Sequence, residues 1–411
     1  MVSAIEKMRD KALMRYIINE VHKEGVVGEE DSITILTLKI MLRLVKNAQP
    51  TSSNVLVSDQ TGGGKDFLTK NVCKVLLEKE KTCFHRTGIS PKTFNYWQPK
   101  DKSGKEISWN GKVLYLEDPE EDAIQSQAFK VMASGGTAIT VIKDQKVLDK
   151  KIDGKPVIIV TSMKTSIDAE GQRRWDAIRI DTSQQLSNKV VLNTLFTATG
   201  HYNNKADETF RACLRSLRAY EVIIPWATEL NFIFSNPRMV ERTQVNKLLD
   251  YIKASAILHQ EQREVDDDGK LIAEKEDYEL ARFAYIQLRN QEGNALNKQE
   301  ERLLDYLREK NTGVKLNDIT TELDGISRAW IYRNKDMMVE KGILSTEMKF
   351  DPSANREVEY LHAKEAFVQK ILPSGKQLFN LEDYLSSGQF YKEINENRQK
   401  NGLLPIFKKV I

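Results

Sequence analysis

The sequence predicts an α/β nucleotide-binding core followed by a helical lid and a C-terminal winged helix-turn-helix. Three observations carry this. The apolar run Val55 to Val57 drops into three glycines and a lysine in NVLVSDQTGGGKD, ahead of a helical pattern from Phe67 to Leu77. Two further apolar runs end in polar groups: Lys112–Leu116 ends in Glu117-Asp118-Pro119, and Pro156–Val160 ends in Thr161-Ser162. Between residues 296 and 365, three helical patterns precede two strand-like arms.

The first 50 residues read as N-terminal helices, because Ile5, Met8, Leu13, Tyr16, Ile17 and Val21 recur at helical spacing and Ile33 to Val45 repeats the pattern. The α/β core is expected over residues 51–200. Strand, glycine loop, lysine and helix start form a phosphate cradle, in which loop N–H groups and the helix dipole face the anion and Lys65 reaches the β and γ phosphates of ATP. Gly62, Gly63 and Gly64 supply the loop. Asp59 stands where such loops carry their first glycine, and Asp66 where they carry the Ser or Thr that reaches Mg²⁺. Asp66 holds the metal directly, through a water, or not at all, and the glycine run by itself also suits a hairpin or a helix-entry turn.

The acids at the end of the next strand lie about 50 residues on, a spacing that favours a metal-organising pair over an ordinary charged turn. One carboxylate of Glu117 and Asp118 organises Mg²⁺ and the other polarises the attacking water; the order Glu-Asp leaves the assignment open. Two β-rich arms then flank a lysine-rich tip, read as a hairpin carrying Lys143, Lys146, Lys150 and Lys151. Thr161, at the end of a buried strand, suits either a γ-phosphate sensor or a turn cap. Arg173 and Arg174 precede the strand Ala177–Asp181 and suit either an arginine finger reaching a neighbouring subunit or a surface pair.

Residues 201–295 read as a helical lid, with runs at Phe210–Tyr220, Gln244–Leu258 and Asp277–Leu288. Arg211, Arg215 and Arg218 share a face read as solvated or inter-domain, and Arg238 or Arg242 could reach the γ-phosphate. In the winged helix-turn-helix over 296–365, Ser327, Arg328, Trp330, Arg333 and Asn334 face the DNA groove or its phosphates; protein docking is the competing use of such a module. Residues 366–411 form a tail without recognisable chemistry.

Composition narrows the classes. The chain has 411 residues, 40% hydrophobic and 29% charged, as in soluble globular proteins, and its net charge of +3 neither demands nor excludes nucleic acid. Three cysteines, Cys73, Cys83 and Cys213, lack metal-ligand spacing and suit a reducing compartment. No apolar run reaches the roughly 18 residues of a membrane helix, so no membrane partner and a cytoplasmic location are expected.

Residues 24–290 resemble the ATPase domain of the AAA+ helicases carried by mobile elements, often fused to primases and similar to the MCM replicative helicases. The resemblance rests on EGVVGEE, SDQTGGGKD, NGKVLYLED, KPVIIVTSMKT, EGQRRWDAIRID and LLDYIKASAILHQEQR, taken as an ordered set. It implies that Glu117 is the catalytic or metal-organising acid, that RRWDAIRID is the arginine-finger turn, and that Lys143 and Lys146 belong to a DNA-contacting pore hairpin. A C-terminal winged helix suits such helicases. Asp66 and the lack of a primase or zinc module depart from the family.

The expected function is an ATP- and Mg²⁺-dependent DNA helicase, a homo-oligomeric ring of about six subunits moving on single-stranded DNA in replication of a mobile element, plasmid or virus. The competing expectations are an initiator or helicase loader that uses ATP as a switch, and a DNA-binding structural module.

Overall fold

The computed structural model describes residues 3–58, 64–95, 97–136, 138–143, 146–162, 175–200, 205–234, 239–293, 298–310, 313–323, 325–340, 344–351 and 355–363. The side chains of Lys143, Lys146 and Arg242 fall outside this description, as do residues 59–63, 163–174 and 364–411 entirely. The chain divides into two compact units, residues 1–288 and 289–411.

The first unit opens with α1 (Ala4–Met8), α2 (Leu13–Lys23) and α3 (Glu30–Met41). Every residue of α3 from Ser32 to Met41 is buried. Its sequence, SITILTLKIM, is apolar on nearly all sides, which makes it an interior helix. Ile5, part of the expected apolar stripe, is instead exposed.

Five parallel strands form the central sheet: β1 (Asn54–Ser58), β2 (Cys83–Arg86), β3 (Val113–Glu117), β6 (Val157–Ser162) and β7 (Asp176–Arg179), in the order β2-β3-β6-β1-β7. β1 and β3 are apolar and buried through most of their length, as strands covered on both faces must be. Alternation along them sends Leu56, Leu114, Leu116, Ile158 and Val160 to one face, where they pack with Phe84, Trp109 and Phe129. Phe129 belongs to α6 (Gln127–Ala133), which follows the short α5 (Glu121–Gln125). The break falls at Ser126, whose hydroxyl caps α6 by accepting from Phe129 N–H. On the other side α4 (Lys65–Leu76) contacts both β1 and β6 and packs on α3.

The expected hairpin forms as β4 (Ala138–Lys143) and β5 (Lys146–Lys151), with Lys143 opposite Lys146 as the last pair before the tip. After β7 comes α7 (Gln184–Ala198), a helix without one buried residue. The lid region contains α8 (Glu208–Arg215), α9 (Met239–Leu258) and α10 (Glu276–Gly293). It is less uniformly helical than its periodicity predicts: two-residue strands β8 (Val222–Ile223) and β9 (Leu271–Ile272) pair in parallel. Arg211 is neither solvated nor free. It is buried, with Nε 3.0 Å from Glu20 Oε2 and Nη1 2.5 Å from Glu24 Oε1, and ties α8 to α2.

The second unit follows the order α11 (Lys298–Lys310), β10 (Val314–Lys315), α12 (Leu316–Glu322), α13 (Arg328–Glu340), β11 (Leu344–Asp351) and β12 (Arg356–Ala363). β11 and β12 form the expected antiparallel arms over eight residue pairs, and β10 adds a short third strand that the sequence did not reveal. Leu303, Leu307, Ile319, Ile331, Met338 and Leu361 fill its core. Gly325, at φ +79°, makes the turn between α12 and α13.

Candidate functional site

The candidate site lies at the carboxyl ends of the central strands, where open α/β sheets place their ligands. β1 ends at Ser58, whose buried hydroxyl has no hydrogen-bond partner among the described residues. The chain re-emerges at Gly64 with φ +88°, a left-handed backbone that an L side chain rarely adopts and that turns the chain into α4. No described residue lies within 4 Å of where a Gly64 Cβ would stand. Lys65 is therefore the first residue of α4, with its side chain buried and directed across the strand ends.

There it meets acids from two elements. Lys65 Nζ stands 3.2 Å from Asp66 Oδ2 and 3.1 Å from Asp118 Oδ2, the latter 53 positions away in sequence. Asp118 follows β3 directly and has φ +42°, strained for a residue other than glycine. Its N–H donates to the Thr161 carbonyl at 3.0 Å, which fixes the turn against β6. Glu117, opposite Thr161 in the sheet register, is held by Lys70 at 2.6 Å through Oε1 and by His85 at 2.9 Å through Oε2. The His85 ring stacks on Tyr115, with centroids 4.4 Å apart, and the Tyr115 hydroxyl donates to Asp66 Oδ1 at 3.3 Å.

The charges are mutually adapted. Burial opposes ionisation of Asp66, but hydrogen bonds from Thr161, Lys65 and Tyr115 outweigh it and hold the carboxyl below its ordinary range. Burial likewise opposes the Lys65 ammonium, and its bonds to Asp118 and Asp66 raise its pKa above the usual lysine value. Lys65 and Asp66 are thus both charged at neutral pH.

Among the described residues, no group of three or more His, Cys, Asp or Glu side chains stands ready for a metal ion. Asp66, Glu117 and Asp118 are engaged by Lys65, Lys70 and His85 instead. That donor set does not suit an all-protein cage. It does suit magnesium, which is commonly held by one or two carboxylates, waters and the phosphates of its substrate.

The structure thus brings together Gly64, Lys65, Asp66, Glu117, Asp118 and Thr161. Gly62, Gly63, Arg173 and Arg174 lie outside the described residues, and Arg242 is placed only as a backbone position in α9. Lys143 and Lys146 are placed by backbone register at the hairpin tip. Sequence reasoning missed His85, Lys70 and Tyr115. The first and last sit on strands beside or within β3, and the alternation of β2 and β3 is the signal that could have found them.

On α13, Arg328 and Arg333 are exposed, as is Tyr332, a residue the sequence reading passed over. The Arg328 guanidinium lies 5.7 Å from the Tyr332 ring centroid. Trp330 is half-buried against the core of its unit, and Asn334 Nδ2 donates 2.8 Å to the Trp330 carbonyl, so both are partly occupied within the unit.

None of the described helices is long and apolar enough to cross a membrane. No protein-family model and no curated protein matches the chain.

Proposed function

We propose that the chain is an ATP-dependent DNA helicase of the AAA+, MCM-like kind, working as a homo-oligomeric ring expected to contain about six subunits. The observation that carries the reading is the meeting of Lys65, at the head of a helix entered through left-handed Gly64, with the acids at the end of β3. In this reading Lys65 exchanges Asp66 and Asp118 for the β and γ phosphate oxygens, and Asp118, with Asp66, would hold magnesium, whose charge would screen the phosphates. Glu117 accepts a hydrogen bond from the attacking water and aims it at the γ phosphorus, and Thr161 faces the transferred group. Arg173 or Arg174 of a neighbouring copy stabilises the charge of the transition state, and Arg242 is the lid's candidate for the same phosphate. Lys143 and Lys146 hold a single strand by its phosphates, and the exposed Arg328, Arg333 and Tyr332 face of α13 contacts duplex DNA, with Trp330 and Asn334 shaping that helix.

The test is unwinding of a forked duplex by the purified chain. Lys65→Ala and Glu117→Ala are each expected to abolish it; ATP hydrolysis that survives both changes sinks the site assignment. One observation favours a second reading, an initiator or helicase loader using ATP as a switch. Glu117 is clamped from both sides by Lys70 and His85, an arrangement suited to slow hydrolysis. ATP binding with almost no turnover, unaffected by single strands, would select that reading. Association with a primase or other replication protein belongs to either.

A further inference from the structure

Tyr115 stands apart from the apolar core that fills one face of the sheet. Alternation along β3 sends Leu114 and Leu116 into that core and turns Tyr115 and Glu117 to the opposite face, the side of α4. The Tyr115 side chain is buried. A phenylalanine would fill the same space without a polar atom to satisfy, so the hydroxyl calls for a reason of its own.

That hydroxyl donates to Asp66 Oδ1 at 3.3 Å, and the Thr161 hydroxyl bonds to both the phenol and the carboxylate. The distance is long for an O–H···O bond, so what the structure secures is its direction. The His85 ring lies parallel to Tyr115, with 10° between the planes and 4.4 Å between centroids, and His85 is itself fixed on Glu117 at 2.9 Å. The phenol is therefore held against tilting. Asp66, by contrast, has its two oxygens turned to different partners: Oδ2 to Lys65 at 3.2 Å, Oδ1 to Tyr115.

This division matters where Asp66 stands in place of a serine or threonine. A carboxylate oxygen lies one bond further from the backbone than a hydroxyl would, and it is free to turn about that bond. Once Lys65 leaves for a phosphate, the hydroxyls of Tyr115 and Thr161 are the contacts that still orient the carboxylate among the described residues.

We propose that Tyr115 is a positioning residue, whose hydroxyl holds Asp66 Oδ1 so that Oδ2, released by Lys65, is presented to the cation that accompanies the nucleotide. The proposal rests on the reading of this site as a cradle for ATP and magnesium. Tyr115 acts through Asp66 alone, as groups that orient a metal's ligands do.

Tyr115→Phe tests it, because the ring and its stack on His85 stay and only the hydroxyl goes. The affinity of the full chain for a fluorescent ATP analogue is measured across a magnesium series and again in EDTA. Magnesium is expected to tighten binding by the unaltered chain. In Tyr115→Phe the affinity in EDTA should be unchanged, while the magnesium concentration for half of the tightening should rise about tenfold. In Asp66→Ala the added Tyr115→Phe change should shift nothing further. His85→Ala, which unstacks the ring and keeps the hydroxyl, should move the midpoint the same way by a smaller factor, and carries the test should Tyr115→Phe fail to fold by circular dichroism. Three results overturn the proposal: an unchanged magnesium midpoint, a loss of affinity equal in EDTA and in magnesium, as a merely structural tyrosine would give, or an effect undiminished in Asp66→Ala. An unaltered chain that binds no analogue under either condition would strike down the nucleotide site and the proposal with it, a result distinct from binding whose magnesium dependence ignores Tyr115.

Discussion

Two ionic clusters bracket β1, and they differ in what they leave open. At the start of the strand, Asp176 on β7 lies opposite Val55 and is bound by Lys39 of α3, Tyr251 and, at 2.5 Å, Lys247 of α9. All four side chains are buried. Burial opposes the Asp176 charge, but the two lysines hold the carboxyl far below its ordinary range. At the far end of β1, Lys65 meets Asp66 and Asp118, and Asp118 is 47% exposed. Similar groups are used to different ends. The sealed cluster pins the N-terminal helices, the sheet and the lid helix to one another. The open one keeps a lysine and its carboxylates together at longer distances, in reach of solvent, where a phosphate and a cation can replace each partner with its equal in charge.

The contrast can be broken at the sealed end first. Asp176→Ala leaves two buried ammonium groups unpaired and is expected to cost about 3–5 kcal/mol in urea unfolding, whereas Lys65→Ala should cost no more than about 1 kcal/mol. Equal losses at the two ends would erase the distinction. A smaller effect is expected at Asp118. Glycine relaxes φ +42° and alanine does not, while both remove the carboxylate, so Asp118→Gly should be more stable than Asp118→Ala by about 1 kcal/mol. If alanine is the more stable of the two, no strain is held there.

Lys155 sets a dependence on pH. Burial, with Lys39 nearby, lowers its pKa to about 7, while its ammonium donates to Asn54 Oδ1 at 2.8 Å and the Pro156 carbonyl at 2.6 Å. The unfolded chain keeps this proton up to the ordinary lysine value near 10.4, so over that window it binds more protons than the folded chain. Stability should therefore rise with pH from about 7 toward 10, and Lys155→Met should flatten the rise in chemical unfolding at several pH values. An unchanged slope in the variant would assign the dependence to other groups.

Much of the sheet was legible in advance because its strands are short apolar runs ended by glycines, acids or hydroxyls. Lys112–Leu116 was expected and Val113–Glu117 found; Ala177–Asp181 was expected and Asp176–Arg179 found. Lys65, Asp118 and Thr161 were singled out by spacing, and the parallel register puts them together. What escaped depends on contacts between distant segments. Asp176 lay just outside the strand expected at Ala177–Asp181, and nothing local announces that Lys39 and Lys247 converge on it from 137 and 71 positions away. His85 and Lys70 were invisible for the same reason. α7 was passed over because QQLSNKVVLNTLFTA lacks the one-sided charge pattern that marks a surface helix, a lack that is informative once the helix is seen to be uncovered.

The most direct test of the central claim is ATP turnover by the full chain, with and without single-stranded DNA, beside Lys65→Ala. The account predicts turnover that rises with DNA and falls on the order of 10²–10³-fold in Lys65→Ala, with the folded state of the variant intact. Turnover that is independent of Lys65, or no binding of ATP by the unaltered chain, would contradict it.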